Sequence, residues 1–363
     1  VFVAWRDLKY AKGRFALMGT VIVLITLLVG LLSGLTAGLG RQNISAITGL
    51  PADRIAFAAP SGEQRLSYAN STVTETQWRQ WAATPGVTSA EPLGVTTTKA
   101  TAGDRSIGVS AFGVLAGSVL APDSGKLTEH TVVLSTAAAD DLGVQPGNSL
   151  VLAGRQLTVA AVSGDASFSH TPVVWTTLDV WQATAPPGSI GSGGPTATVI
   201  ALTTTSATAI TATDQAAGTR TVTKDDSLSA IGSYTSENGS LQLMRVFLFA
   251  ISALVIGAFF TVWTIQRSGD IAVLKALGAT TTGLLKDALG QAVVLLVGGT
   301  LIGTGLAAAL GAALTGSAIP FVLTPATVLL SAAVMILLGA LGAALAIRRI
   351  TSVDPLTALG SAR

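Results

Sequence analysis

Cysteine is absent from the 363 residues, which excludes a disulfide framework, a thiolate metal cluster and a thiol nucleophile. Histidine is nearly absent: His130 and His170 stand alone, neither with a partner at metal-ligand spacing. No Gly-x-Ser-x-Gly elbow, His-Glu-x-x-His helix or paired-carboxylate spacing stands out. The one Gly-Lys pair, Gly125-Lys126, is followed by Leu127 instead of the Ser or Thr that reaches magnesium in a phosphate-binding loop. These absences argue against an enzyme acting alone and place any ATP chemistry on another chain. Charge is also scarce, at 11% of residues against 49% hydrophobic, a balance that water-soluble domains seldom show. The chain is therefore expected to divide between lipid and water.

The few charges are unevenly spread. Residues 41–240 hold 10 basic and 15 acidic side chains, whereas the remainder holds 11 and 4. The excess of Lys and Arg thus lies beside the apolar runs, as cytoplasmic flanks require, and gives no case for nucleic-acid binding. At 1–14, Arg6, Lys9, Lys12 and Arg14 face one acid, Asp7, while Ala4, Leu8, Ala11 and Phe15 form an apolar stripe and Trp5 and Tyr10 suit headgroup depth. This pattern predicts an amphipathic elbow helix on the inner membrane surface, with a plain continuation of the first span as the alternative.

No charge occurs between Arg14 and Arg41, a run that crosses a hydrocarbon core of about 30 Å at about 1.5 Å per residue. The run is too long, and lacks the small-residue cleavage site, for a removed signal peptide. It is expected to be a retained span, 15–40. Gly30, Gly34 and Gly38 recur every four residues and form a smooth ridge for close helix approach, either at a dimer seam or within the subunit's own bundle. The second span is placed in the segment 241–266, its uncharged run from Val246 to Gln266 bounded by Arg245 outside and Arg267 inside. From Asp287 to Arg348 there is again no charge; Pro320 and Pro325 divide that stretch into spans 288–314 and 326–347 with an outer turn at 315–325. A tail, 348–363, opens with Arg348 and Arg349. An even number of spans places both termini in the cytoplasm.

Between the first two spans, 41–240 is long enough to bury a core of its own. Short β-branched runs bounded by Gly, Pro or Asn predict strands at 54–58, 107–112, 131–135, 149–153, 157–162, 172–176 and 198–202. Helical spacing at 74–83 and 136–142 makes the domain α+β. The stretch 185–195, rich in Pro, Gly and Ser, reads as a surface loop, and 203–213 is open between helix and loop. The expected fold is an α-helical membrane protein of four transmembrane helices, with an α+β extracytoplasmic domain inserted between the first and second.

The loop 267–287 lies between the second and third spans. Its segment Arg267-Ser268-Gly269-Asp270-Ile271-Ala272-Val273-Leu274-Lys275-Ala276-Leu277-Gly278 reads as a short helix capped by Asp270 and stopped by Gly278. This segment resembles the cytoplasmic coupling loop of MacB/FtsX-type ABC permeases, with Asp270 where Glu is more frequent and Gly269 where a polar residue is common. The run from Asp141 to Val162 is similar to the extracytoplasmic core domain of that family, with Ala161 in place of a glycine, and the ending from Arg348 to Leu359 resembles the family's Arg-rich exit. The resemblance covers nearly the whole chain.

It implies that Arg267, Asp270, Ile271, Leu274, Lys275, Leu277 and Gly278 dock on a separate cytoplasmic ABC ATPase, two copies serving a homodimer in the cell membrane. It also implies that this chain binds no cofactor, ATP and Mg belonging to the partner. In length and compact outer domain the chain is most similar to the haem-exporter permeases of Gram-positive bacteria. Spans without buried charge suit a hydrophobic or amphiphilic cargo entering from the bilayer. With haem as cargo, Glu237 and Met244 are candidate iron ligands and Arg245 a candidate partner for a propionate, Met18 being a weaker candidate. The alternatives are an interfacial anchor with a packing methionine at these positions, an exporter of lipids or antimicrobial peptides, and an FtsX-like mechanical relay acting on an extracytoplasmic partner.

Overall fold

A computed structural model describes residues 12–184, 194–205, 209–266, 269, 273, 277–278, 280–314 and 319–351. The chain divides into two compact units, residues 1–38 with 240–363, and residues 39–239.

The first unit is helical. Its long elements are α1 (Lys12–Thr48, continuing into the second unit from Leu39), α7 (Gly232–Gln266, entering this unit at Ser240), α8 (Thr281–Leu314) and α9 (Pro325–Thr351). Each contains a stretch long and apolar enough to cross a membrane: Phe15–Thr48, Gly232–Gln266, Lys286–Leu314 and Pro325–Gly342. Phe15, Met18, Ile22 and Val29 of α1 pack with Ile256, Phe260 and Trp263 of α7, Ala292 and Leu296 of α8, and Met335 of α9. Leu24, Leu254, Leu301, Leu329 and Leu345 are instead exposed over more than half their surface. Large aliphatic side chains displayed on several helices are stable in lipid and costly in water.

The second unit is α+β. It contains strands β1 (Arg54–Ala58), β2 (Val73–Thr74), β3 (Val87–Ala102), β4 (Arg105–Val114), β5 (Thr131–Leu134), β6 (Ser149–Leu152), β7 (Arg155–Val162), β8 (Ser167–Phe168), β9 (Thr171–Thr177), β10 (Thr196–Ala197), β11 (Val199–Thr204) and β12 (Thr219–Thr223). Its short helices are α2 (Glu75–Ala82), α3 (Thr136–Leu142), α4 (Leu178–Thr184), α5 (Ile210–Ala217) and α6 (Lys224–Ser227). The main sheet runs β12-β1-β11-β3-β4-β9-β5-β7-β6, with β8 paired to β9. Its β4–β9 and β5–β7 pairs are parallel, and β2 with β10 forms a separate two-stranded ladder.

Both faces of the sheet are covered, and the two-residue strand period sorts side chains between them. Val132, Leu134 and Val174 pack on one face with Trp78 and Trp81 of α2, Leu142 of α3 and Trp181 of α4. Val133, Val173 and Trp175 pack on the other with Ala46 and Ile47 of α1. There, rings at edge-on angles run from Phe57 through Tyr68, Phe168 and Phe112 to Trp175, with centroids 5.0 to 5.6 Å apart.

Local signals account for several elements. Ser135 accepts the Ala138 N–H as the N-cap of α3, and Gly143 ends that helix at φ 65°, a conformation glycine adopts without a Cβ clash. The expected strands all form, each within a few residues of its predicted bounds. Beyond the short β2, β8 and β10, two strands were not legible, β3 and β12. The 16-residue β3 contains Pro92 and Gly94, residues that weaken a strand on local grounds. Gly94 is required there because it pairs with Gly113 and both lie against the Trp181 ring, leaving no room for a Cβ.

Three expectations change. The first helix continues to Thr48 instead of ending at residue 40, because its polar extension has partners: Arg41 pairs with Asp165, and Ser45 bonds with Ser167. The helix carrying the second span begins at Gly232 instead of 241. The ambiguous 203–213 segment is β11 up to Thr204 and α5 from Ile210, with 206–208 outside the described residues. The elbow helix falls largely outside them as well, as do 185–193, 315–318 and 352–363.

Candidate functional site

The candidate residues from sequence lie in two regions, the loop after α7 and the first turns of α7. Of the coupling residues expected from sequence, Arg267, Asp270, Ile271, Leu274 and Lys275 lie outside the described residues. Leu277 is 80% exposed. Its N–H donates to the Val273 carbonyl at 3.0 Å, and Gly278 follows at φ 91°, as a helix-stopping glycine does.

Within the first unit, the ridge on α1 lies against α8 and the turn before α9. A Cβ at Gly30 would come within 2.7 Å of Ala307 Cβ, one at Gly34 would strike the Phe321 ring, and one at Gly38 would meet the Pro320 carbonyl. The Gly34 carbonyl accepts the Val322 N–H at 3.0 Å. Met18 is buried and lines, with Phe259 and Trp263, a cleft of about 360 Å³.

Of the three cargo candidates on α7, Met244 is 49% exposed, Arg245 is half-buried, and Glu237 is partnered. Oε2 of Glu237 is 2.7 Å from Nε2 of His170, and Asn43 Nδ2 lies 3.5 Å from the same oxygen. Asn43 Nδ2 is 3.2 Å from His170 Nε2, while Asn43 Oδ1 accepts the Ser233 hydroxyl at 2.6 Å. The cluster therefore draws on α1, the β8–β9 turn and the first turns of α7, all within residues 39–239. Sequence reasoning identified Glu237 but not His170 or Asn43, which are 67 and 194 residues away along the chain. No local spacing signals such a contact. Among the described residues, no group of three or more His, Asp or Glu side chains is placed to hold a metal ion.

Comparison with known proteins adds to this geometry. Residues 15–220 match the family model of the MacB-like periplasmic core domain, and residues 243–355 that of the FtsX-like permease C-terminal region. A putative hemin transport system permease protein of Staphylococcus haemolyticus is 25% identical over 361 residues, covering 99% of both chains. An uncharacterized ABC transporter permease of Mycobacterium tuberculosis is 25% identical over 369 residues with the same coverage. Among solved structures, the extracellular domain of the ABC-type transporter YknZ from Gram-positive bacteria covers 47% of this chain and 99% of its own length, at 15% identity and a TM-score of 0.35.

Proposed function

The chain belongs to the FtsX-like ABC transporter permeases that carry a MacB-like periplasmic core domain, and from that premise we propose that it is the permease subunit of an ATP-driven exporter of an amphiphilic molecule, haem above all. The observation that carries this reading is the distribution of charge. Between Arg14 and Arg41, Arg245 and Arg267, and Asp287 and Arg348 no charged residue occurs. A path without buried charge stabilises no free ion in the bilayer; it suits a planar hydrophobe whose polar groups stay near the surface. The staphylococcal relative's name supports haem as the cargo.

In this proposal two copies form a symmetric dimer, each offering one loop, 267–287, to one of two ATPase subunits, with both termini in the cytoplasm. Closure of the ATPase pair pushes on the two loops and shifts the equilibrium between inward and outward access. Glu237 and Met244 supply oxygen and sulfur donors for the iron, and Arg245 a guanidinium for a propionate. Haem is substrate here, and ATP with magnesium stays on the partner.

The test is a visible absorption titration of the purified permease in detergent with haemin. A saturable Soret shift at about one haem per dimer, lost in Met244→Ala or Glu237→Ala, is the expected outcome. Absence of a shift, with ATPase activity still stimulated by the permease, removes haem and favours lipids, peptides or the relay. The match of 243–355 to the FtsX-like model makes the relay, in which the outer domain acts on an extracytoplasmic partner, the second reading.

A further inference from the structure

The β8–β9 turn places a histidine where backbone sterics favour glycine or asparagine. Phe168 pairs with Thr171, so Ser169 and His170 are the two central residues of the hairpin, at φ 50° and 64°. Positive φ at both positions is the geometry of a type I′ turn, and a bulky side chain adopts it only where its surroundings hold it. They do so here through three bonds. The Ser169 N–H donates to the Asn43 carbonyl at 3.0 Å and the His170 N–H to the Gln42 carbonyl at 3.2 Å, while the Ser169 and Ser233 hydroxyls are 2.9 Å apart.

That turn aims the imidazole at Glu237, and the partners fix the proton positions. An ionised carboxylate only accepts hydrogen bonds, so Nε2 carries a proton and donates it to Oε2 across the 2.7 Å separation. Asn43 is oriented by the Ser233 hydroxyl on its Oδ1, which leaves its amide nitrogen facing the same carboxylate oxygen. The 3.2 Å approach of Asn43 Nδ2 to His170 Nε2 is then a contact between two donors that share one acceptor. Oε1 has no bond among the described residues, and the Glu237 side chain is 43% exposed. One oxygen is held and the other is presented to the surroundings.

We infer that His170 is a positioning residue: it holds Glu237 through Oε2 in one orientation, so that Oε1 meets the cationic part of the cargo. The inference rests on the reading of Glu237 as a cargo ligand. A carboxylate already held in one orientation by a 2.7 Å hydrogen bond loses less rotamer entropy when cargo binds.

The test compares haemin titrations of the full-length wild type, His170→Gly and His170→Gln in detergent, with thermal unfolding as a control for folding. Glycine suits the turn and removes the imidazole; glutamine keeps a side-chain donor. His170→Gly is expected to bind haemin about tenfold more weakly, in line with loss of one charge-assisted hydrogen bond. His170→Gln is expected to recover most of that loss, with the bound Soret band unchanged in position in all three proteins. Equal affinity in wild type and His170→Gly overturns the inference, as does a glutamine variant no better than the glycine one. A bound-state Soret band displaced in both variants makes His170 an iron ligand and overturns the positioning role. These outcomes leave the cargo reading intact, whereas no saturable shift in the wild type overturns both.

Discussion

Tyr68 shows how one polar atom is accommodated in the outer domain's core. Its ring lies edge-on between Phe57 and Phe168, and its hydroxyl is 3.1 Å from the Ser227 hydroxyl, to which it donates. Burial raises its phenol pKa well above the ordinary value, the Ser227 bond offsetting only part of that effect. A proton held more tightly in the folded state stabilises the fold below the unfolded phenol pKa, and that stability is lost as pH rises beyond about 10. Tyr68→Phe is expected to cost about 0.5–1.5 kcal/mol at neutral pH and to remove this alkaline component. Thermal midpoints of parent and variant across that pH range check it: parallel curves would contradict the assignment. The aromatic character of position 68 is plain in the sequence. Its shifted acidity is not, because it depends on rings and a serine brought together from 57, 168 and 227.

Helix α1 shows how one element satisfies two kinds of neighbour. Its glycine ridge, legible as a four-residue repeat, lies against Ala307, Phe321 and Pro320, but the sequence left open whether it served a dimer seam or the subunit's own bundle. The obstacle at Gly38 is a backbone carbonyl, which cannot rotate away as a side chain can. Gly38→Ala is therefore expected to destabilise the protein by about 1–3 kcal/mol. Gly40→Ala, with no atom near its added methyl group, is expected to be neutral or stabilising by up to about 1 kcal/mol. Thermal unfolding in detergent reads both, and equal behaviour of the two variants would contradict this packing. Further along α1, Arg41, Asn43 and Ser45 continue the helix beyond the apolar run because Asp165, Ser233 and Ser167 partner them. Hydropathy marks where lipid burial ends but carries no information on those remote partners. The same limit hid β3, whose Pro92 and Gly94 are locally unfavourable and are accepted for the sake of the sheet and Trp181.

At the scale of the whole molecule, the unit with exposed leucines belongs in a bilayer, and the proposed exchange with an ATPase concentrates on one short loop. Leu277 lies in that loop and is 80% exposed, so it is accessible to a docking partner. Replacing it by Asp is expected to abolish permease-dependent ATPase stimulation while leaving the unfolding midpoint within about 0.5 kcal/mol equivalents of the parent, as for a surface substitution. Stimulation retained at the parent level would show that the ATPase docks elsewhere. This outcome is expected under both the exporter and the relay readings, so it tests coupling separately from cargo.

Composition and local periodicity suffice for the four apolar spans, the α+β insertion after the first, and the turns and caps that bound most strands. Those features depend on each residue's own preference for lipid, helix or strand, and they survive without knowledge of distant neighbours. The folded chain alone establishes that Glu237 is held by His170 and Asn43, that Gly94 and Gly113 make room for Trp181, and that α1 continues to Thr48. Each of these depends on contacts between segments tens to hundreds of residues apart, whose hydrogen bonds and close approaches exist only once the sheet has brought them together.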